Sequence, residues 1–176
     1  AGHIMIADRI KDGAFDALEE LRAQGVKSLV MLTGDVRSAA KTVASSLNFD
    51  MVKAELTLDG KITAVEYMLS KKAPDSCLAF VGDGVGDAPV MSHSDIGIAL
   101  GAINDYSAID TADVVLMDED IRALPEARGL CRSVTDTAEQ NILLSLAAKA
   151  ILVVLGVFGV INIWIAALAE LCVLAA

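Results

Sequence analysis

The sequence is poor in aromatic residues, proline and cysteine. Only 4% of its 176 residues are Phe, Trp or Tyr, and it has three prolines and three cysteines. The cysteines, Cys77, Cys131 and Cys172, are odd in number, far apart, and form no CxxC pair. A disulfide framework is therefore excluded, and a reducing cytosol is the expected setting. Basic residues are also scarce: 14 Lys+Arg face 24 Asp+Glu, for a formal net charge of −10. Such a balance excludes nucleic acid as a partner, because phosphate backbones require a basic face. A basic leader with a cleavage site is not seen at Ala1, so no signal peptide is expected. Neither histidine, His3 or His93, has a second ligand at metal-binding spacing.

Apolar residues are abundant, at 55% of the chain, which excludes disorder. They are unevenly placed. Beyond residue 140 the only charges are Lys149 and Glu170. The composition therefore describes an acidic domain followed by an apolar tail.

Within the first 120 residues, short apolar runs alternate with amphipathic stretches. His3–Ala7, Val26–Leu32, Met51–Leu56, Ser76–Val81, Ile96–Leu100 and Val114–Met117 are predicted strands, Val26–Leu32 a buried one. Lys11–Gln24 is a predicted helix closed by Gly25. Ser38–Leu47 is a second, with Ala39, Val43 and Leu47 on one face, and Ile62–Leu69 a third. The alternation predicts an α/β fold, a parallel sheet covered by helices, with ligands at the carboxyl ends of its strands.

The tail reads differently. Ile142–Ile161 is 20 residues with one charge, the length of a membrane span. Asn162–Ala176 begins a second apolar run, and Gly156, Gly159 and Asn162 offer a turn between the two. A transmembrane helical hairpin is expected; the alternative is a buried core helix pair. Lys149 and Glu170 each lie about 10 residues from the bend, roughly 15 Å along a helix. That is near the middle of a ~30 Å hydrocarbon layer. They form either a structural ion pair or an ion pathway in which the carboxylate binds a cation and the lysine replaces it.

Two loops follow predicted strands. Thr33-Gly34-Asp35 offers a hydroxyl and backbone N–H groups to phosphate oxygens. Gly82-Asp83-Gly84-Val85-Gly86-Asp87 offers two carboxylates four residues apart, suited to Mg²⁺. The plainer alternatives are that Asp35 or Ser38 caps the next helix and that the Asp-Gly steps are turns. Lys61 is either a solvated surface lysine or a cation for a transferring phosphoryl group.

In order along the chain, IADRIKDGAFDALEELRAQGV (Ile6–Val26), MLTGD (Met31–Asp35), VGDGVGDAPVMSHSDIGIALG (Val81–Gly101) and TADVVLMDEDIRALPEA (Thr111–Ala127) resemble the P-type ATPases. QNILLSLAAKAILVVLGVFGVINIWIAALAE (Gln140–Glu170) is similar to the last two membrane helices of their heavy-metal branch, and its lysine to the zinc/cadmium/lead subgroup. The Tyr-Asn, Met and Ser pattern of the copper subgroup is not found.

The resemblance implies a haloacid-dehalogenase-like Rossmannoid fold. Residues 1–125 would be the C-terminal part of a phosphorylation domain, 126–140 a connecting helix, and 141–176 the last two membrane helices, the second truncated. Thr33 and Gly34 would bind the phosphoryl group, Asp35 position the nucleotide, and Lys61 contact the phosphoryl group. Asp83 would bind Mg²⁺ with Asp87 in support. Glu170, with Lys149 as counter-charge, would belong to the transport site. The implied partners are a divalent heavy-metal ion, ATP, the lipid bilayer and the other domains of a pump in a bacterial plasma membrane, its soluble part cytoplasmic.

The sequence departs from the family's pattern in places. The phosphorylated Asp of Asp-Lys-Thr-Gly-Thr is not in the chain, nor are the nucleotide-binding domain, the actuator domain or the membrane Cys-Pro-Cys. Alone, the chain is not expected to hydrolyse ATP. Gly86 stands where Asn is usual, Leu58 where Pro is usual, and Glu170 where the zinc branch usually has Asp. The competing expectations are a non-catalytic, membrane-anchored pump remnant and a haloacid-dehalogenase-type phosphatase.

Overall fold

The computed structural model describes residues 9–82, 85–101 and 106–159. The expected strand at 3–7, the second apolar run, Cys172, Asp83 and Glu170 lie outside those residues. Among the described residues the chain divides into two units, Ala1–Ala127 and Arg128–Ala176.

The first unit alternates helix and strand. α1 (Ala14–Ala23) precedes β1 (Val30–Leu32), α2 (Arg37–Ser46), β2 (Met51–Lys53) and α3 (Leu58–Lys71). β3 (Ala79–Gly82) leads through a short 3₁₀ turn into α4 (Ala88–Met91), then β4 (Ile96–Leu100), α5 (Tyr106–Thr111) and β5 (Val114–Leu116). All strand pairs are parallel, in two hydrogen-bonded groups: β1–β2 and β3–β4–β5. The short elements α4 and α5 carry no periodic signal long enough to predict them.

The same device starts every pair. An aspartate stands immediately before the second strand, and its carboxylate accepts the N–H of the residue opposite on the first. Asp50 takes the Leu29 N–H at 2.7 Å, Asp95 the Leu78 N–H at 2.7 Å, and Asp113 the Gly97 N–H at 2.8 Å. In return each aspartate's own N–H reaches the opposite carbonyl, at 2.9, 3.1 and 2.9 Å. The aspartate thus closes a two-bond ring where a parallel ladder would otherwise leave an amide without a partner.

This explains where β1 departs from its expected length. Val26 N–H is taken by the Leu21 carbonyl, which closes α1, and Lys27 and Ser28 are exposed. The Leu29 amide goes to a side chain, so the ladder begins only at Val30, and β1 is half-buried rather than buried. On α2 the buried positions are Ala40 and Ala44, followed by Leu47, with Val43 packed beside them; Ala39 is exposed. The predicted 39/43/47 stripe is thus turned by one residue. α3 begins four residues before the expected Ile62 because Thr57 caps it, accepting the Gly60 N–H at 3.2 Å.

Two apolar clusters hold the unit. Ala14, Leu18, Leu21 and Leu47 pack with Leu29, Phe49 and Leu124. Ala88, Met91 and Ala99 pack with Phe80, Ile109 and Val115, fixing α4 and α5 against β3–β5.

α6 (Ala123–Val157) is a single 35-residue helix, about 52 Å long. Its most apolar 18-residue stretch has none of its residues buried. Leu143, Leu144, Leu146, Ile151 and Val153 are all exposed. By length and composition this helix is long and apolar enough to cross a membrane. Cys77 and Cys131 are exposed free thiols.

The aspartate clamps make an acid-sensitivity prediction. The Leu29 N–H and the Arg22 guanidinium hold Asp50 below the usual carboxylate range, and the Lys72 ammonium and Leu78 N–H do the same for Asp95. The unfolded chain then binds more protons at low pH. The clamps' stabilisation is complete above about pH 4 and is lost as pH falls further through the lowered values. The Asp50→Asn/Asp95→Asn variant is expected to have a lower thermal midpoint at pH 7 and a flatter loss between about pH 5 and pH 2. An acid profile parallel to that of the parent chain would remove the clamps from the account.

Candidate functional site

The carboxyl ends of β1 and β3 carry the two loops singled out above. After β1, the Thr33 hydroxyl donates to Asp35 Oδ2 at 2.7 Å and accepts the Asp35 N–H at 3.1 Å. The loop therefore closes on itself. Asp35 does not cap α2: the cap position is Val36, which has no side-chain acceptor. Ser38 does not cap it either; the Arg37 N–H is accepted by Glu55 Oε1, from the segment after β2.

After β3, Asp87 ends the 3₁₀ turn and precedes α4, yet makes no capping bond to that helix. Its Oδ1 instead accepts from Lys61 Nζ at 2.7 Å. The pair is largely covered, with the Lys61 and Asp87 side chains 21% and 16% exposed. Lys61 is thus not a solvated surface lysine. It sits in the first turn of α3, where the Thr57 cap fixes the direction in which its side chain leaves the helix.

Leu58, where Pro is usual, occupies the first helical position. Pro suits that position because its missing N–H has no intrahelical role there, and Leu loses nothing by restoring it. The departure leaves Lys61 in place.

These segments meet at a cavity of about 350 Å³ lined by Gly34, Leu56, Leu58, Lys61, Gly86 and Asp87. Loops following two strands of different hydrogen-bonded groups, and the start of a helix between them, converge on one space. A larger cavity of about 630 Å³, lined by Arg37, Lys41, Phe49, Val52 and Lys53 among others, shares Leu56 but contains none of the predicted site residues. Size alone does not mark the site: the predicted residues line the smaller cavity.

The cavity brings Gly34, Lys61 and Asp87 together, with Thr33 and Asp35 on the adjoining loop. Lys149 lies on α6, in the other unit. Among the described residues no three His, Cys, Asp or Glu side chains form a metal-binding group, and Asp87 is the only carboxylate at this cavity. The segment 53–56, which touches the Thr33 loop, was expected only as the end of the Met51–Leu56 strand, but the ladder stops at Lys53. Its contribution lies in backbone bonds to that loop and in the Glu55 carboxylate at the start of α2.

With this geometry in view, the chain belongs to the haloacid dehalogenase-like hydrolase family, which matches residues 1–95. Over nearly its whole length it is homologous to zinc- and cadmium-transporting P-type ATPases. It is 41% identical over 169 residues to a zinc-transporting ATPase of Synechocystis sp. (strain ATCC 27184 / PCC 6803 / Kazusa), covering 96% of this chain and 23% of that protein. It is 38% identical over 164 residues to a cadmium, zinc and cobalt-transporting ATPase of Bacillus subtilis (strain 168), covering 93% and 23%. A crystal structure of a zinc-transporting PIB-type ATPase in its E2.Pi state matches with a TM-score of 0.83 at 36% identity, covering 94% of this chain and 26% of that one. The chain spans about a quarter of the length of these relatives.

Two glycines at the cavity make opposite predictions. A Cβ at Gly82 would stand 2.7 Å from the Asp87 Cβ, whereas one at Gly86 would meet nothing within 4 Å. Gly82→Ala is expected to push Asp87 off Lys61 and destabilise the chain by about 1–3 kcal/mol. Gly86→Asn is expected to stay within about 0.5 kcal/mol of the parent. Chemical denaturation of both variants checks this; equal midpoints would contradict the close approach at Gly82.

Proposed function

We propose that this chain is part of an ATP-driven export pump for divalent heavy-metal ions (zinc, cadmium or lead) working through an aspartyl-phosphate cycle. In this reading residues 1–125 belong to the phosphorylation domain, 126–140 are a connecting helix, and 141–176 are the last two membrane helices. The observation that carries it is the convergence of the Thr33-Gly34-Asp35 loop, Lys61 and Asp87 on one cavity at the strands' carboxyl ends.

The chemistry follows from what each group offers. The loop's N–H groups hold phosphoryl oxygens, with Gly34 allowing close approach, and the Thr33 hydroxyl joins them by turning its single proton from Asp35 Oδ2 to the phosphoryl group. Asp35 orients that hydroxyl, to which it is bonded, and helps position the nucleotide. Lys61 brings a fixed positive charge to the side of the cavity facing Asp87. Asp87 holds the lysine's ammonium in place and excludes other rotamers.

The donor set suits Mg²⁺: Asp87 presents hard carboxylate oxygen beside a glycine that leaves room, and Asp83 stands four residues before it. Held by Asp83 with Asp87 in support, Mg²⁺ supplies charge that stabilises phosphoryl oxygens. The phosphorylated aspartate and most of the ATP contacts come from parts of the pump outside this chain.

In the membrane part, Glu170 ligates the transported ion and Lys149 is its counter-charge. What supports this reading is that α6 is long and apolar enough to cross a membrane and leaves its apolar side chains exposed. The setting is a bacterial plasma membrane, with the first unit on the cytoplasmic side.

The test uses the complete pump and labelled ATP. Asp83→Ala is expected to abolish phosphoenzyme, and Lys61→Ala to slow its formation by about 10²–10³-fold. Glu170→Ala is expected to remove Zn²⁺ stimulation of ATP hydrolysis. Persistent labelling in Asp83→Ala would overturn the Mg²⁺ role. Unchanged Zn²⁺ stimulation in Glu170→Ala would make the Lys149–Glu170 pair structural only.

A further inference from the structure

Glu55, just after β2, has a left-handed backbone with φ 59°, a conformation that glycine favours and β-carbons disfavour. Such strain persists only where the surroundings hold it, and here the holding bonds all lead to the Thr33–Asp35 loop or to the helix that follows it. The Glu55 N–H donates to the Asp35 carbonyl at 2.9 Å, and the Leu56 N–H to the Thr33 carbonyl at 3.1 Å. In an extended strand successive N–H groups point to opposite sides. The left-handed turn at Glu55 brings two successive ones onto the same loop. The Thr33 N–H closes the set by donating to the Lys53 carbonyl at 3.0 Å.

The side chain acts from the other end. Glu55 Oε1 accepts the Arg37 N–H at 3.2 Å, at the start of α2, and Oε2 lies 3.8 Å from the Arg37 guanidinium. α2 has no cap of its own, since Val36 offers no acceptor. One carboxylate therefore serves as the helix cap from a different element, where a negative group also suits the helix dipole. The loop between β1 and α2 is pinned before Gly34 by Lys53 and Leu56 and after it by Glu55.

We propose that Glu55 is a positioning residue for the phosphoryl-binding loop, acting through a backbone bond to Asp35 and a carboxylate cap on α2. The proposal rests on the reading of Thr33-Gly34-Asp35 as that loop. It touches neither phosphate nor metal. Its effect is on how well the loop's geometry is held during the chemical step.

Two measurements separate this proposal from the functional reading. The first needs no activity: amide hydrogen exchange of the full 176-residue chain in detergent. Glu55→Ala is expected to raise exchange at the Arg37 and Leu56 amides by about fivefold or more, the usual worth of a lost cap. Glu55→Gln, which keeps an acceptor oxygen, stays near the parent. The second is steady-state ATP hydrolysis by the complete pump. There Glu55→Ala lowers kcat by about 10- to 100-fold, the cost of a misplaced catalytic element, while KM for ATP stays within about twofold. Glu55→Gln recovers most of the rate. Unchanged exchange in Glu55→Ala overturns the positioning role, and so does a loss in KM alone. If exchange changes as expected but the unsubstituted pump makes no phosphoenzyme, the functional reading fails and the proposed role falls with it.

Discussion

The parallel ladders depend on the aspartate placed before the second strand of each pair. A parallel pair has no tight turn to set its register, and its first amide would otherwise lack a partner. Asp50, Asp95 and Asp113 solve both problems with one side chain each. The carboxylate fits only when it stands opposite a particular residue, so a one-residue slip would break two hydrogen bonds at once. By fixing the amino ends of the strands, the clamps leave the carboxyl ends to carry loops whose backbone is free to do other work.

Those carboxyl ends form the site. Lys61 and Asp87 come from different elements and are held by features outside themselves. The Thr57 cap aims the lysine, and the bare Cα of Gly82 lets the aspartate fold back. Each carboxylate near the loops is occupied by something other than a conventional helix cap. Asp35 bonds Thr33, Asp87 bonds Lys61, and Glu55 bonds the start of α2. Polar groups that could have been spent on local structure are directed toward the cavity or toward holding the loop beside it. In this the domain resembles other α/β folds in which rigid strands present chemically active loops.

α6 combines polar and apolar segments in one continuous helix. Its first turns share the apolar cluster of α1 through Leu124, while its later turns expose leucine, isoleucine and valine over the length of a bilayer core. A helix satisfies its backbone internally in either setting, so only the side chains need change along its length.

Much was legible from the chain itself. Strand–helix alternation set the fold class, and the near absence of charge beyond residue 140 set the apolar tail, because burial and lipid contact select side chains by polarity alone. β4 matched its expected span of Ile96–Leu100 because it is the central strand of its group, with partners on both sides. β1 was shorter than its apolar run, because side-chain bonds to Asp50 and the closure of α1 replaced ladder bonds that periodicity cannot foresee. The loops at Thr33 and Asp87 were visible as motifs, but the plainer alternatives, a cap for the first and Asp-Gly turns for the second, were equally consistent with spacing. Tertiary structure excluded the caps, since a hydrogen bond is settled by which groups the fold brings within about 3 Å. Glu55 shows the limit most clearly. Its role rests on a backbone angle, on an amide that every residue possesses and on a carboxylate whose partner, the Arg37 N–H, lies on a different element, so spacing alone could not announce it before the chain was folded.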